Sequence, residues 1–132
     1  MSHPSKVKGN RIEREIVDIF KQYGFTEAKR AWGSNGQSLG LHEEVDCYIP
    51  EIDLKIQSKG RKQIASYVIP NIPIVDIQVV KANNKPYLVI TEIHNYAKDK
   101  QKIIELQKKV IMLEQENNKL KTDLAYAEST TQ

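Results

Sequence analysis

Hydrophobic residues near the start of the chain follow a helical period. Polar and basic residues 1–9, predicted to be flexible, precede Asn10, a suitable N-cap, and Gly24 is a suitable C-cap. Between these two residues, apolar side chains recur every three or four positions, as on one face of an α-helix. The apolar positions are Ile12, Ile16, Ile19 and Phe20. The pattern therefore predicts a helix that buries one face.

One acidic residue lies at the border of that apolar face. Glu13 falls on the line of Val17 and Phe20, at the edge of the predicted buried surface. A carboxylate there costs free energy unless it is paired or bound to a cation. An acid in the first turn is also favoured by the helix dipole alone. Both interpretations of Glu13 follow from the pattern.

The centre of the chain changes to a period of two, which predicts two β-strands, 45–49 and 52–59, joined by a turn. Alternation places Gln57 and Lys59 on one face of the second strand, and Asp46 opens the neighbouring strand. A carboxylate, an amide oxygen and a lysine at one sheet edge suit a divalent metal and the water it activates. The sequence therefore predicts a metal site there.

Further strands and loops surround this centre. Residues 25–32 read as a strand, 64–68 as a short helix that stops before Pro70, and 74–81 with 86–91 as a hairpin around an Ala-Asn-Asn-Lys turn. The glycine- and serine-rich loop 33–40 is compatible with phosphate binding and equally with a plain connection. The globular part is predicted to end near Asn95, and the mixture of elements indicates an α/β fold.

A heptad pattern governs the rest of the chain. Apolar residues spaced three and four apart, with β-branched residues at a and leucine at d, favour a parallel dimeric coiled coil over 96–128, followed by a tail, 129–132. An asparagine at one a position fixes register and dimer state. A helix folded back on its own domain, or a coil that recruits another protein, are the alternatives. The predicted dimerisation residues are Ile103, Leu106, Val110, Leu113, Asn117, Leu120 and Leu124.

Composition narrows the function classes. The 132 residues suit one domain, or a smaller domain with an appendage, and the net charge of +3 permits nucleic-acid binding without requiring it. The single cysteine, Cys47, excludes an internal disulfide framework. The chain has no apolar run of membrane-span length, no signal-peptide core, no P-loop and no dinucleotide fingerprint. These features predict a soluble, cytoplasmic protein.

Several of these motifs occur together in one known family. The segment KGNRIERE at 8–15 resembles the KGxxxERE opening of the archaeal-type Holliday junction resolvases and their phage-borne relatives. These enzymes belong to the PD-(D/E)xK nuclease superfamily. The similarity continues through YGF at 23–25, RAWGS at 30–34, VD at 45–46 and IQSK at 56–59, and covers roughly residues 6–68.

The resemblance implies a restriction-endonuclease-like mixed sheet flanked by helices over 10–95. It implies that Asp46 binds Mg²⁺ (or Mn²⁺), that Gln57 stands where the family usually has a glutamate, and that Lys59 activates water and stabilises charge at phosphate. Glu13 would complete the metal or water network, whereas Arg14, Arg30 and Ser34 would contact the scissile backbone. The neutral Gln57 amide removes one charge and is expected to weaken metal binding.

Basic residues accumulate in the segments next to this predicted site and favour contact with a DNA backbone over a merely solvated face. Trp32 fits either stacking on a base or packing in the core, the latter being commoner for a lone tryptophan. With Arg14, Arg30 and Ser34, the residues predicted to bind DNA are Lys8, Arg11, Arg61 and Lys62.

The sequence thus predicts a metal-dependent, structure-selective DNA endonuclease, most like a Holliday junction resolvase that works as a dimer on four-way junctions. A prokaryotic or phage origin follows from the resemblance. Nicking or trimming of other DNA is one alternative. A catalytically inactive DNA-binding or scaffold module of the same fold, with Gln57 marking loss of the metal, is the other.

Overall fold

Helix α1 begins earlier than the sequence predicts. The computed structural model describes residues 3–131, apart from the side chains of Ser5 and Ser34, and α1 spans Pro4–Gln22. Proline is tolerated in a first helical turn because its missing N–H would have no partner there. The predictions of a flexible segment up to residue 9 and of an N-cap at Asn10 are therefore wrong for residues 4–10.

The end of α1 confirms the predicted C-cap. Gly24 has a φ of 94°, which is costly for residues with a side chain. Its N–H donates to the Lys21 carbonyl at 3.0 Å, and the Phe25 N–H donates to the Phe20 carbonyl at 3.1 Å. This pair of bonds is a Schellman motif, which satisfies the last carbonyls of the helix.

A three-stranded antiparallel sheet follows, in the order β1-β2-β3. The strands are β1 (Lys29–Arg30), β2 (Cys47–Ile49) and β3 (Leu54–Ile56). Arg30 is paired with Cys47, and Cys47 with Ile56. All three strands are shorter than predicted. The predicted strand 52–59 is wrong at both ends. Pro50–Ile52 forms a 3-10 turn and Asp53 has a φ of 47°, so the strand begins at Leu54, and it already ends at Ile56.

The core lies between α1 and this sheet. Phe20, Cys47 and Ile49 are completely buried, and the ring of Phe20 lies 5.8 Å from that of Phe25. The beginning of the last helix closes the core, since the Tyr96 ring meets Phe20 edge-on at 6.4 Å. Burial of these apolar side chains fixes α1 across the sheet.

The predicted hairpin is confirmed with shorter strands, β4 (Gln78–Val80) and β5 (Leu88–Ile90), paired antiparallel in a second sheet. Asn84 in its turn has a φ of 58°, which asparagine tolerates better than most residues. The predicted helix at 64–68 is wrong: only a 3-10 turn, Ser66–Val68, forms. The Gln78 side chain donates to the Tyr67 carbonyl at 3.0 Å, which ties this turn to β4.

Helix α2 spans Ile93–Thr130, slightly beyond the predicted coil on both sides, so Ser129 and Thr130 of the predicted tail are helical, and Gln132 lies outside the described residues. The Glu92 carboxylate caps its start by accepting the N–H groups of His94 and Asn95. The chain divides into two compact units after Lys98. Pairing of this helix with a second copy stays a prediction.

The architecture is α/β, with two small antiparallel sheets and two α-helices among residues 3–131. The mixed sheet of a restriction-endonuclease-like fold stays a prediction. Over the same residues, no helix is both long enough and apolar enough to cross a membrane.

Candidate active site

Asp46 is held by the backbone at an irregular point of the sheet. Its N–H donates to the Ile56 carbonyl at 2.8 Å, although Ile56 is the register partner of Cys47. Two residues of one chain segment thus oppose one residue of β3, as in a β-bulge, a feature that re-aims side chains next to active sites. The Asp46 side chain is largely buried, and its Oδ2 accepts the Ser58 N–H at 2.8 Å.

Glu13 is paired with an arginine from the sheet. Its side chain is only 5% exposed, and its Oε2 lies 3.2 Å from Nη2 and 3.3 Å from Nε of Arg30. Arg30 Nη2 also donates to Asn10 Oδ1 at 3.1 Å. Pairing therefore explains the acid at the border of the buried face. Sequence reasoning missed the contact between Asn10 and Arg30. Its signal was the spacing, because Asn10 lies one helical turn before Glu13 and both side chains share one side of α1.

Cys47 lies next to both acidic residues, because Asp46 precedes it in the chain and the Glu13 backbone contacts its thiol. Its Sγ donates to the Glu13 carbonyl at 3.7 Å. Burial and then the negative charges of Glu13 and Asp46 raise the pKa of Cys47 from 9.0 to about 12, partly opposed by Arg30. The structure thus brings together two of the four predicted catalytic residues, Glu13 and Asp46, with Arg30 beside them.

The burial of Cys47 leads us to expect slow labelling of its thiol and a loss of stability at high pH. At pH 8, a thiol reagent is expected to label the native protein at least on the order of 10³-fold more slowly than the protein in urea, because labelling requires opening of the fold. Above pH 9 the unfolded thiol ionises, whereas the folded thiol stays protonated until about pH 12. Stability should therefore fall across that window. Equal labelling rates with and without urea would contradict the buried position.

Gln57 and Lys59 lie on either side of Ser58, the residue whose N–H binds Asp46. Both side chains are exposed and follow the end of β3, and no hydrogen bond between described atoms joins either of them to Asp46. The chain leaves the sheet here to pack on α1. Gly60 lies against this helix, since a Cβ added there would meet the end of the Ile12 side chain at 2.5 Å.

A basic groove lies where this segment meets the start of α1. Its volume is about 460 Å³, and four of the seven residues that line it are cationic. We call it the lysine groove, formed by Lys8, Gly9, Ser58, Lys59, Gly60, Arg61 and Lys62. Three of the residues predicted to bind DNA therefore share one surface with the predicted catalytic lysine.

A second groove, of about 450 Å³, lies beside Arg30. We call it the tryptophan groove, formed by Lys6, Asn10, Arg30, Ala31, Trp32 and Gly33. Trp32 is 85% exposed, so the interpretation of Trp32 as a core residue is wrong. The large exposed ring follows from the turn Trp32–Ser34, which carries it away from β1.

The remaining predicted DNA-binding residues lie on α1 and in the loop. Arg11 and Arg14 are exposed on the helix, and Arg11 Nε lies 3.7 Å from Glu15 Oε1. Ser34 ends the turn Trp32–Ser34, and its side chain lies outside the described atoms. Neither arginine lines the two grooves defined above.

The donor set suits a hard cation at Asp46. Carboxylate and amide oxygens are the ligands that Mg²⁺ and Mn²⁺ take in proteins. Ser58 binds Oδ2 of Asp46, which leaves Oδ1 as the oxygen to bind a cation. Glu13 differs, because Oε2 already accepts two N–H groups from Arg30. Within the described part of the chain, no three His, Cys, Asp or Glu residues form a metal-binding group.

No family model, curated protein or solved structure matches the chain. The resemblance to Holliday junction resolvases therefore rests on the motif residues between 8 and 59.

Proposed function

We propose that this protein is a metal-dependent, structure-selective DNA endonuclease of the Holliday junction resolvase type. The observation that supports it most is the position of Asp46 beside the Glu13–Arg30 pair, next to two cationic grooves. The tryptophan groove includes Arg30, which contacts Glu13, and the lysine groove includes Ser58, which contacts Asp46. In this proposal, α1 and strands β1–β3 belong to a restriction-endonuclease-like core.

The cations would bind the DNA backbone. The lysine groove gathers Lys8, Lys59, Arg61 and Lys62, and each phosphate neutralised by such a group releases counterions. Binding should therefore weaken steeply with salt. Arg30 differs from these side chains because Glu13 and Asn10 fix its guanidinium, so it can hold a phosphate in one orientation.

Asp46 would hold the metal, with Gln57 as the neutral oxygen donor of the same site. A bound divalent cation supplies an activated water and stabilises charge that develops at phosphate. Lys59, on its exposed segment, would orient the attacking water and offset the charge of the leaving oxygen. Glu13 would act on the same centre through Arg30, whose position it sets.

The C-terminal helix α2 would form the dimer interface by pairing with a second copy. A four-way junction is two-fold symmetric, and resolution requires paired cuts, so two active sites in one symmetric particle fit the task. A parallel coiled coil raises the effective concentration of one catalytic domain for the other. The apolar heptad residues of α2 are exposed in the single chain, as this proposal requires.

The coiled coil gives a prediction with a matched control. Leu113 occupies a d position, and Leu113→Lys removes two buried leucines from each dimer. At about 1.5 kcal/mol or more per leucine, the dissociation constant should rise at least roughly 100-fold. Gln115→Lys adds the same charge at an outward f position and should leave self-association unchanged. Sedimentation equilibrium checks both, and a Leu113→Lys dimer as tight as the control would contradict the seam.

The proposed function is tested by cleavage of a labelled four-way junction beside a linear duplex of matched sequence, each with Mg²⁺ or Mn²⁺. Symmetric cuts in the junction alone support the proposal. Equal cutting of the duplex supports nicking or trimming of general DNA instead and contradicts junction selectivity.

A second candidate function is an inactive junction-binding module. The observation that favours it is the exposed Gln57 side chain, which forms no hydrogen bond to Asp46. This alternative predicts tight junction binding in a chelating buffer and no cuts with either metal. Gel-shift and cleavage assays on one preparation distinguish the two functions.

A further inference from the structure

Trp32 presents a large aromatic surface to the outside of the protein. A tryptophan normally buries a large area of apolar surface, yet this side chain is 85% exposed. It is the only tryptophan in the 132 residues. Its exposure therefore requires an explanation other than core packing.

The loop around Trp32 holds the residue in place. Its backbone N–H donates to Ser38 Oγ at 2.8 Å, and its backbone carbonyl accepts the Asn35 N–H at 3.1 Å. Ser38 Oγ donates in turn to the Asn35 carbonyl at 3.0 Å. Gly36 anchors the same loop, because a Cβ there would overlap the His42 carbonyl oxygen. The backbone of Trp32 is thus bonded on both sides to a closely packed loop.

Cations lie in the same groove as the indole ring. Lys6 and Arg30 line the tryptophan groove with Trp32, and Asn10 and Glu13 fix the guanidinium of Arg30. An aromatic face next to positive charges matches a nucleotide, whose base stacks and whose phosphate is anionic. A purely apolar partner would gain nothing from the two cations.

We propose that Trp32 stacks on an unpaired DNA base while Lys6 and Arg30 bind the adjacent phosphates. The inference rests on the proposed function and specifies its substrate. Bases inside a duplex already stack on their neighbours, so an indole ring reaches only a base that is unpaired or splayed out. The protein would thus favour branched DNA with unstacked bases at the branch point, or single strands, over intact duplex.

The single tryptophan provides a direct measurement. Its fluorescence is followed while the full-length protein is titrated with a thymidine strand of roughly 10 nucleotides, a strand of equal length with abasic sites, and a duplex. The expected result is strong quenching by the thymidine strand only. The abasic strand and the duplex, which bind through phosphates alone, should leave the emission nearly unchanged.

Substitutions of Trp32 measure how much the stacking contributes to the affinity for DNA. Trp32→Ala should weaken binding of the thymidine strand about 5- to 150-fold, whereas Trp32→Phe keeps most of the affinity. Binding of the abasic strand should not change in either variant. Tyr126→Ala removes another highly exposed aromatic ring, at an outward heptad position, and serves as the control. Fluorescence anisotropy of labelled strands measures all of these affinities.

The possible results distinguish failure of the stacking proposal from failure of the proposed endonuclease function. If the strands bind without quenching and Trp32→Ala binds them as well as the intact protein, stacking is wrong although DNA binding stands. If the intact protein binds neither strand and not the duplex, the stacking is wrong. The endonuclease proposal is overturned as well only if the intact protein also fails to bind a four-way junction in a gel-shift assay.

Discussion

Replacement of Arg30 by alanine is expected to lower the free energy of unfolding by about 3–5 kcal/mol. The reason is the carboxylate left behind. The Glu13 side chain is 5% exposed, and the guanidinium that offsets its charge at 3.2 Å would be absent. The change also removes the donor that Arg30 supplies to Asn10. Since Arg30 itself is 28% exposed, some water can enter, and the lower end of this range is expected. Urea unfolding monitored by circular dichroism at pH 7 measures the effect.

Two variants make this prediction specific. Arg11→Ala breaks an ion pair whose side chains are 64% and 62% exposed, and it should cost at most about 1 kcal/mol. Adding Glu13→Gln to Arg30→Ala removes the buried charge, so the double variant should recover part of the lost stability. A cost for Arg30→Ala no larger than that for Arg11→Ala would contradict the buried pair.

Those parts of the fold that depend on local signals were predictable. The apolar period of α1, the cap at Gly24, the asparagine-rich hairpin turn and the long heptad helix are each set by neighbouring residues. Their physical causes, burial of one face and backbone conformations that glycine and asparagine tolerate, act within a few positions of the chain.

The parts that failed depend on distant residues. The pattern over 52–59 alternates as a strand should, yet β3 ends at Ile56, and the following segment lies against α1 at Gly60. The short helix predicted at 64–68 likewise gave way to a turn bonded to β4. Tertiary contacts of this kind leave no trace in local periodicity.

The two acidic residues of the candidate site could be predicted from the sequence, but the residues that contact them could not. The position of Glu13 indicated a carboxylate that needs compensation, and Asp46 was predicted to bind a metal at the sheet edge. The structure places both near Cys47. The partner of Glu13 is Arg30, which the register of β1 with β2 brings to α1. The bulge at Asp46 and its bond from Ser58 arise from strand pairing, which the sequence of one strand does not specify.

Asp46→Asn is expected to reduce cleavage of a four-way junction by on the order of 10³-fold, because it removes the charged oxygen that would hold the metal. An asparagine Oδ1 can still accept the Ser58 N–H, so the bulge and the fold should persist. Junction affinity in a chelating buffer should stay the same or increase slightly, since one negative charge near the phosphates is lost. Single-turnover cleavage and gel-shift assays on the same samples measure these two quantities.

Asp76→Asn is the matched control for this variant, because it makes the same substitution at an exposed aspartate outside both grooves. It should cut the junction at the rate of the intact protein. An Asp46→Asn variant that cuts equally fast would remove Asp46 from the chemistry, whatever its resemblance to a nuclease motif. An intact protein that binds the junction but cuts with neither metal would point to the inactive module, in which Asp46 serves only to bind the Ser58 amide and close the sheet against α1.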